Sequence, residues 1–116
     1  MKLRPQVTPE KVIQDQILYY LRMRGLFVWQ NKSQGTFDPV ARRFRKPGQF
    51  HLNGVPDILG ILPDGKFLGI EVKSSIGRLS PPQKEFIEKA NSKPCVVFMA
   101  RSLEDVISRL KELRYL

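Results

Sequence analysis

The stretch on which the rest of the chain turns is Pro56-Asp57-Ile58-Leu59-Gly60-Ile61-Leu62-Pro63-Asp64-Gly65-Lys66-Phe67-Leu68-Gly69-Ile70-Glu71-Val72-Lys73. Two apolar runs, Ile58 to Leu62 and Phe67 to Val72, flank Pro63-Asp64-Gly65-Lys66. Proline presets φ there and glycine accepts a positive φ, so the stretch reads as a β-hairpin. Three ionisable residues interrupt these core-like strands: Asp57, Glu71 and Lys73. The period of two puts Glu71 and Lys73 on one face. With a three-residue loop centred on Asp64, residues equidistant from Asp64 oppose each other, and Asp57 faces Glu71 with Cβ atoms about 4.5–5.5 Å apart.

Carboxylates that close repel, and buried ones protonate rather than stay charged. A divalent cation removes the conflict, and hard oxygen ligands at that spacing suit Mg²⁺ or Mn²⁺, with water and a substrate phosphate completing the shell. Lys73 can then hold an attacking water or a phosphate oxygen. A plainer reading makes Asp57 a turn cap and leaves Glu71 and Lys73 as a solvated stripe on an edge strand. The Pro-Asp that opens the same hairpin weighs against it.

Pro56-Asp57, a hairpin and Glu71-Val72-Lys73 resemble the PD-(D/E)xK nuclease signature. Gly77-Arg78-Leu79-Ser80-Pro81-Pro82-Gln83 and Pro9-Glu10 extend the likeness to the VRR-NUC branch, in its small stand-alone, phage-like form, over roughly residues 8–110. The resemblance implies an α/β fold with a restriction-endonuclease-like core, in the order α-β-β-β-α-β-α. It also implies a Mg²⁺- or Mn²⁺-dependent endodeoxyribonuclease. Asp57, Glu71 and the Val72 carbonyl would hold the metal, Glu10 would complete the site directly or through water, Lys73 would serve catalysis and Gln83 would support the catalytic face. One metal and two remain equally open. Lysine as a base needs a depressed pKa, which neighbouring carboxylates oppose, so orientation and charge stabilisation suit Lys73 better. Small stand-alone members are associated with branched DNA such as four-way (Holliday) junctions. A symmetric junction calls for two sites, hence a C2 homodimer. A nicking or end-directed nuclease and a catalytically silent nucleic-acid-binding module are the alternatives, although a pure binder has no reason to set Asp57 and Glu71 against an anion. A ribosome-associated basic protein would explain the charge and not the hairpin.

At 116 residues the chain suits one domain, residues 8–116, behind a loose tail of residues 1–7. No apolar run approaches the roughly 18 residues of a membrane span and no signal-peptide pattern is present, so a soluble, cytoplasmic protein of a bacterium or phage-infected cell is expected. Cys95 is the only cysteine and His51 the only histidine, which excludes an internal disulfide and a Cys- or His-cluster zinc site. Cys95 reads as a buried, inert thiol, and His51 as an exposed loop residue or a phosphate contact. Twenty Lys and Arg against eleven Asp and Glu give a formal charge of +9. That field favours nucleic acid, and the absence of a basic amphipathic helix argues against a membrane partner.

Along the chain, Thr8-Pro9 predicts an N-cap and first helical position, with a helix from Glu10 to about Met23. Ile13, Ile17 and Leu21 form its stripe, Val12, Tyr19 and Tyr20 broaden it, and Gly25 ends it. Glu10 by itself needs no role beyond favouring the helix dipole. Leu26 to Trp29 predicts the first strand. Residues 31–53 then form a long basic loop containing Arg42-Arg43-Phe44-Arg45-Lys46, suited to phosphate contacts with Phe44 or Phe50 on a base or sugar. Lys32 and Arg78 are further candidates for DNA contact, and the stretch Asn31-Lys32-Ser33-Gln34-Gly35 is a weaker one through amide and backbone contacts to phosphate; isolated loop cations are also commonly just solvated. Ser80-Pro81-Pro82-Gln83 opens a helix in which Gln83 sits where a capping-box glutamine reaches back to the Ser80 N–H. Phe86, Ile87 and Ala90 are expected to face inward. Pro94 to Met99 reads as a buried strand. Ser102 caps a last helix whose buried face is Leu103, Val106, Ile107, Leu110 and Leu113. A helix between the last two strands permits a parallel crossover and so a mixed sheet. The last helix, or Val12, Tyr19 and Tyr20, offers surface for a dimer.

Overall fold

The structure, a computed structural model, describes residues 6–32, 37–44 and 48–116. In chain order the elements are α1 (Glu10–Met23), β1 (Phe27–Gln30), β2 (Phe37–Asp38), β3 (Arg43–Phe44), β4 (Ile58–Ile61), β5 (Phe67–Val72), α2 (Pro81–Asn91), β6 (Val96–Ala100) and α3 (Leu103–Glu112). A four-stranded sheet has the order β1-β4-β5-β6. Its first three strands are antiparallel and β6 runs parallel to β5. The expected order and mixed sheet are therefore present. The β2–β3 ribbon is an addition inside the basic loop, Phe37 pairing with Phe44 and Asp38 with Arg43. Strands of two residues carry no alternation from which to read them.

The hairpin sets the register. Gly65 has φ +87°, and its N–H donates to the Leu62 carbonyl at 2.8 Å while the Leu62 N–H donates to Lys66 at 2.9 Å. Pro63-Asp64-Gly65 is thus a three-residue loop with glycine in the left-handed position. Ile58 pairs with Ile70 and Ile61 with Phe67, all equidistant from Asp64. Leu68, Ile70 and Val72 are fully buried and join Ile13, Ile17 and Leu21 of α1 and Val106 and Leu110 of α3 in one core. That leaves Gly69, Glu71 and Lys73 for the opposite face of β5.

α1 starts one residue later than the Thr8 cap implies. Pro9 is the N-cap, with φ −60° and ψ 146° and no side-chain cap bond. Its carbonyl accepts from the Val12 and Ile13 N–H groups at 3.1 and 3.2 Å, while its extended ψ keeps Pro9 itself outside the helix. At the other end Gly25 takes φ +83°, and the Leu26 N–H returns to the Leu21 carbonyl at 2.9 Å, a Schellman closure. The buried stripe is narrower than expected: Val12 and Tyr19 are 43% and 75% exposed. Further expectations shift. β6 is a sheet edge and not a fully buried strand, with only Val97 and Ala100 of its residues buried, because no strand among the described residues pairs with its outer side. Cys95 beside it is half-buried. Phe86, Ile87 and Ala90 of α2 are half-buried, and Leu113 lies past the end of α3 and is exposed. No helix among the described residues is long and apolar enough to cross a membrane.

Candidate active site

Glu71, on the face of β5 opposite the main core, is 2% exposed. Its Oε1 accepts from Gln83 Nε2 at 2.9 Å and lies 3.7 Å from Lys73 Nζ. Its Oε2 is buried with no hydrogen-bond partner. Burial, then the charge of Asp57 and the hydrogen bond that a protonated Glu71 can give it, push the Glu71 carboxyl up to about 8; Lys73 pulls it down and Glu10 adds to the rise. These influences are what place Asp57 and Glu10 within electrostatic reach of Glu71.

Asp57 is held by the backbone it faces, its Oδ2 accepting from the Val72 N–H at 2.9 Å. The reason lies in the preceding proline. The register places Pro56 opposite Val72 at a position where both residues would exchange ladder bonds. Proline has no N–H to give the Val72 carbonyl, and Asp57 takes the Val72 N–H instead. The Val72 carbonyl is therefore released from the ladder beside the two carboxylates. The Pro56 carbonyl is taken by Asn31 Nδ2 at 3.2 Å, and the Asn31 N–H donates to the Asp57 carbonyl at 2.7 Å. Asn31 is thus a clamp on the Pro-Asp step, a role that its loop setting did not suggest. Gly69 makes room for Pro56, since a Cβ there would stand 3.0 Å from Pro56 Cγ.

Gln83 does both things its position allows. Its Oε1 accepts from the Ser80 N–H at 2.8 Å and its N–H donates to Ser80 Oγ at 3.4 Å, a complete capping box. The remaining amide nitrogen is the one that holds Glu71. Glu10, at the start of α1, comes to the C-terminal end of β5, where its Oε1 accepts from the Ser74 N–H at 3.4 Å. Glu10, Asp57, Glu71, Lys73 and Gln83 thus converge. Arg101 is a member that the sequence did not announce: it donates to the Ser74 and Gly77 carbonyls of the turn after Lys73.

Among the described residues no group of three or more His, Cys, Asp or Glu side chains stands as a ready metal cage. The donors that fit a hard divalent cation are two carboxylates and one main-chain oxygen, with waters for the remainder. The buried Glu71 Oε2 without a donor and the raised Glu71 carboxyl fit such a donor set. The cation candidates of the basic loop are less concentrated. Lys32, Arg42 and Arg78 are exposed, Arg42 with φ +53° in the β2–β3 turn. Arg43 is in β3, and Arg45 and Lys46 lie outside the described residues. His51 is exposed and Phe50 is 92% exposed.

No curated protein and no solved structure matches the chain. The VRR-NUC domain model matches residues 26–104, from the start of β1 through β6 and excluding α1 with Glu10. With its mixed sheet and three helices in a restriction-endonuclease-like fold, the chain belongs to the VRR-NUC domain family of nucleases.

Proposed function

We propose that this nuclease is a Mg²⁺- or Mn²⁺-dependent endodeoxyribonuclease that hydrolyses phosphodiester bonds in branched DNA such as four-way junctions, acting as a homodimer. The observation that carries the metal-dependent part is Glu71: a buried carboxylate facing Asp57, with one oxygen unpartnered. A chain that keeps two carboxylates together beside a lysine, and releases a carbonyl next to them, has arranged its donors for a cation. When bound by Asp57, Glu71 and the Val72 carbonyl, such an ion supplies charge neutralisation at the scissile phosphate and acidity to a water.

The protein's own groups do the rest. Gln83 fixes the rotamer of Glu71, and the Val72 N–H fixes that of Asp57. Lys73, its side chain 13% exposed, points its ammonium into the same space and orients the water that adds to phosphorus. It also offsets charge that builds on the phosphate oxygens as the sugar oxygen leaves and takes up a proton. Glu10 adds a third carboxylate at the edge of the site. The charge of +9 brings the polyanion to this face. Symmetric incision of a junction requires two such sites, which a chain of one domain supplies as a pair of copies.

The test is cleavage of end-labelled four-way junction and matched linear duplex with Mg²⁺, Mn²⁺ or chelator, beside Lys73→Ala. Paired, metal-dependent nicks in the junction alone, lost in the variant, are the expected result. Equal cutting of both substrates overturns the junction preference in favour of a nicking or end-directed nuclease. Tight DNA binding with no cleavage under any metal overturns the catalytic assignment in favour of a silent binding module.

A further inference from the structure

The turn after the catalytic strand, Ser74 to Gly77, touches two of the site's side chains at once. The Ser74 N–H donates to Glu10 Oε1 at 3.4 Å. A Cβ added to Gly77 would stand 3.0 Å from that same oxygen and 3.4 Å from Cδ of Lys73. The turn closes on itself through the Gly77 N–H, which reaches the Ser74 carbonyl and Ser74 Oγ, both at 3.2 Å. Glu10 and the stem of Lys73 therefore rest against one short backbone segment.

That segment is held from a distant part of the chain. Nη1 of Arg101 donates to the Ser74 carbonyl and, at 2.8 Å, to the Gly77 carbonyl. Arg101 is the first residue after β6 and is half-buried. Its N–H is fixed by Asp105 Oδ2 at 2.9 Å, and the Lys73 N–H donates to the adjacent Ala100 carbonyl at 3.0 Å. The end of β6 thus grips the chain at Lys73 by its backbone and at the turn by a side chain. A guanidinium suits the task because it forks two hydrogen bonds from one rigid plane, and charge-assisted bonds are roughly twice as strong as neutral ones. Nη1 of Arg101 is committed to the two carbonyls of the turn.

We propose that Arg101 is a positioning residue for the cleavage reaction, holding the Ser74–Gly77 turn so that Glu10 and Lys73 converge on Glu71 without itself touching DNA. The proposal rests on the metal-dependent nuclease assignment and names a further residue of that site. Its effect runs through the turn, so it shows in the chemical step and not in DNA affinity.

The experiment uses the full chain and the variants Arg101→Ala, Arg101→Lys and Gly77→Ala, with Lys73→Ala as the activity control. Three quantities are read: single-turnover cleavage at saturating protein, the DNA dissociation constant in chelator, and the melting temperature. Arg101→Ala is expected to slow cleavage about 10–100-fold, the range for residues that orient ligands from behind, with DNA affinity unchanged. Arg101→Lys, which retains a donor, recovers part of the rate. Gly77→Ala, which crowds Glu10 directly, lowers it with the Arg101 bonds in place. In a Glu10→Gln background Arg101→Ala costs much less, because both changes act on one carboxylate. An unchanged rate in Arg101→Ala, or a rate restored at saturation with a weakened dissociation constant, overturns the proposal while the nuclease assignment stands. Should Arg101→Ala fail to fold, Arg101→Lys decides by the same two readouts. A wild type no more active than Lys73→Ala overturns both.

Discussion

Replacing Glu71 by glutamine is expected to stabilise the metal-free protein while it destroys activity, by an amount that grows with pH. The ordinary glutamate value is 4.5 and the folded value is about 8, raised first by burial and then by Asp57. A folded value above the unfolded one means that the folded chain holds a proton which the unfolded chain has released. Stability is then fully present below 4.5 and is lost as pH rises through about 8. Each pH unit costs about 1.4 kcal/mol, so the loss accumulates to the order of 5 kcal/mol between 4.5 and about 8. Glutamine keeps the shape and the oxygen that Gln83 holds, and offers Asp57 an N–H in place of a like charge. Urea unfolding of both proteins in chelator at pH 5, 6, 7 and 8 should show the variant increasingly the more stable. Adding Mn²⁺ should then raise the wild type and leave the variant unmoved, since only the native site gains by binding. A stability gap that does not change with pH, or a variant less stable than wild type at pH 8, would refute the assignment of Glu71 as a strained, cation-seeking carboxylate.

Gln83→Glu keeps the capping box but replaces the donor to Glu71 with another carboxylate, so cleavage should fall by about 10-fold or more and the melting temperature should drop as well; Gln83→Ala should cost about 1 kcal/mol of stability through the lost cap. Pro56→Ala restores an N–H opposite the Val72 carbonyl, so single-turnover cleavage is expected to drop, and the urea midpoint to fall because the Pro56 ring is fully buried. Gly54→Ala should destabilise by more than about 2 kcal/mol in the same unfolding assay, because Gly54 has φ +78° and a Cβ there would lie 2.3 Å from the Pro82 carbonyl oxygen.

Much of this site was legible in the chain because its logic is local. Pro63-Asp64-Gly65 determines a loop length, loop length determines the register, and register alone brings Asp57 to Glu71. Ser80 and Gln83 announce their capping box by a spacing of three; at α3 the hydroxyl of Ser102 caps alone, accepting from the Asp105 N–H at 3.1 Å, while the Asp105 carboxylate takes the Arg101 N–H. What escaped is what long-range packing decides. Asn31 reaches Pro56 across 25 positions and Arg101 reaches Ser74 across 27, and neither residue differs in composition from a solvated loop side chain. β6 has the apolar content of a central strand but sits at the sheet edge, with only Val97 and Ala100 buried. At the C-terminus Tyr115 donates to Asp64 at the hairpin tip, a tether for which no pattern in either segment gives a sign. Glu10 lies between these cases: its position in the first turn of α1 is explained by the helix dipole, and only the tertiary arrangement brings it to Ser74.

The most direct test of the central claim is Mn²⁺ binding, read from the loss of the free-ion electron paramagnetic resonance signal on titration into wild type, Asp57→Asn and Glu71→Gln. Saturable binding by the wild type, abolished or weakened by at least about 10-fold in both variants, is the result expected of a carboxylate pair built around a cation. Binding that survives in both variants, or no binding by the wild type in the presence of DNA, would contradict it.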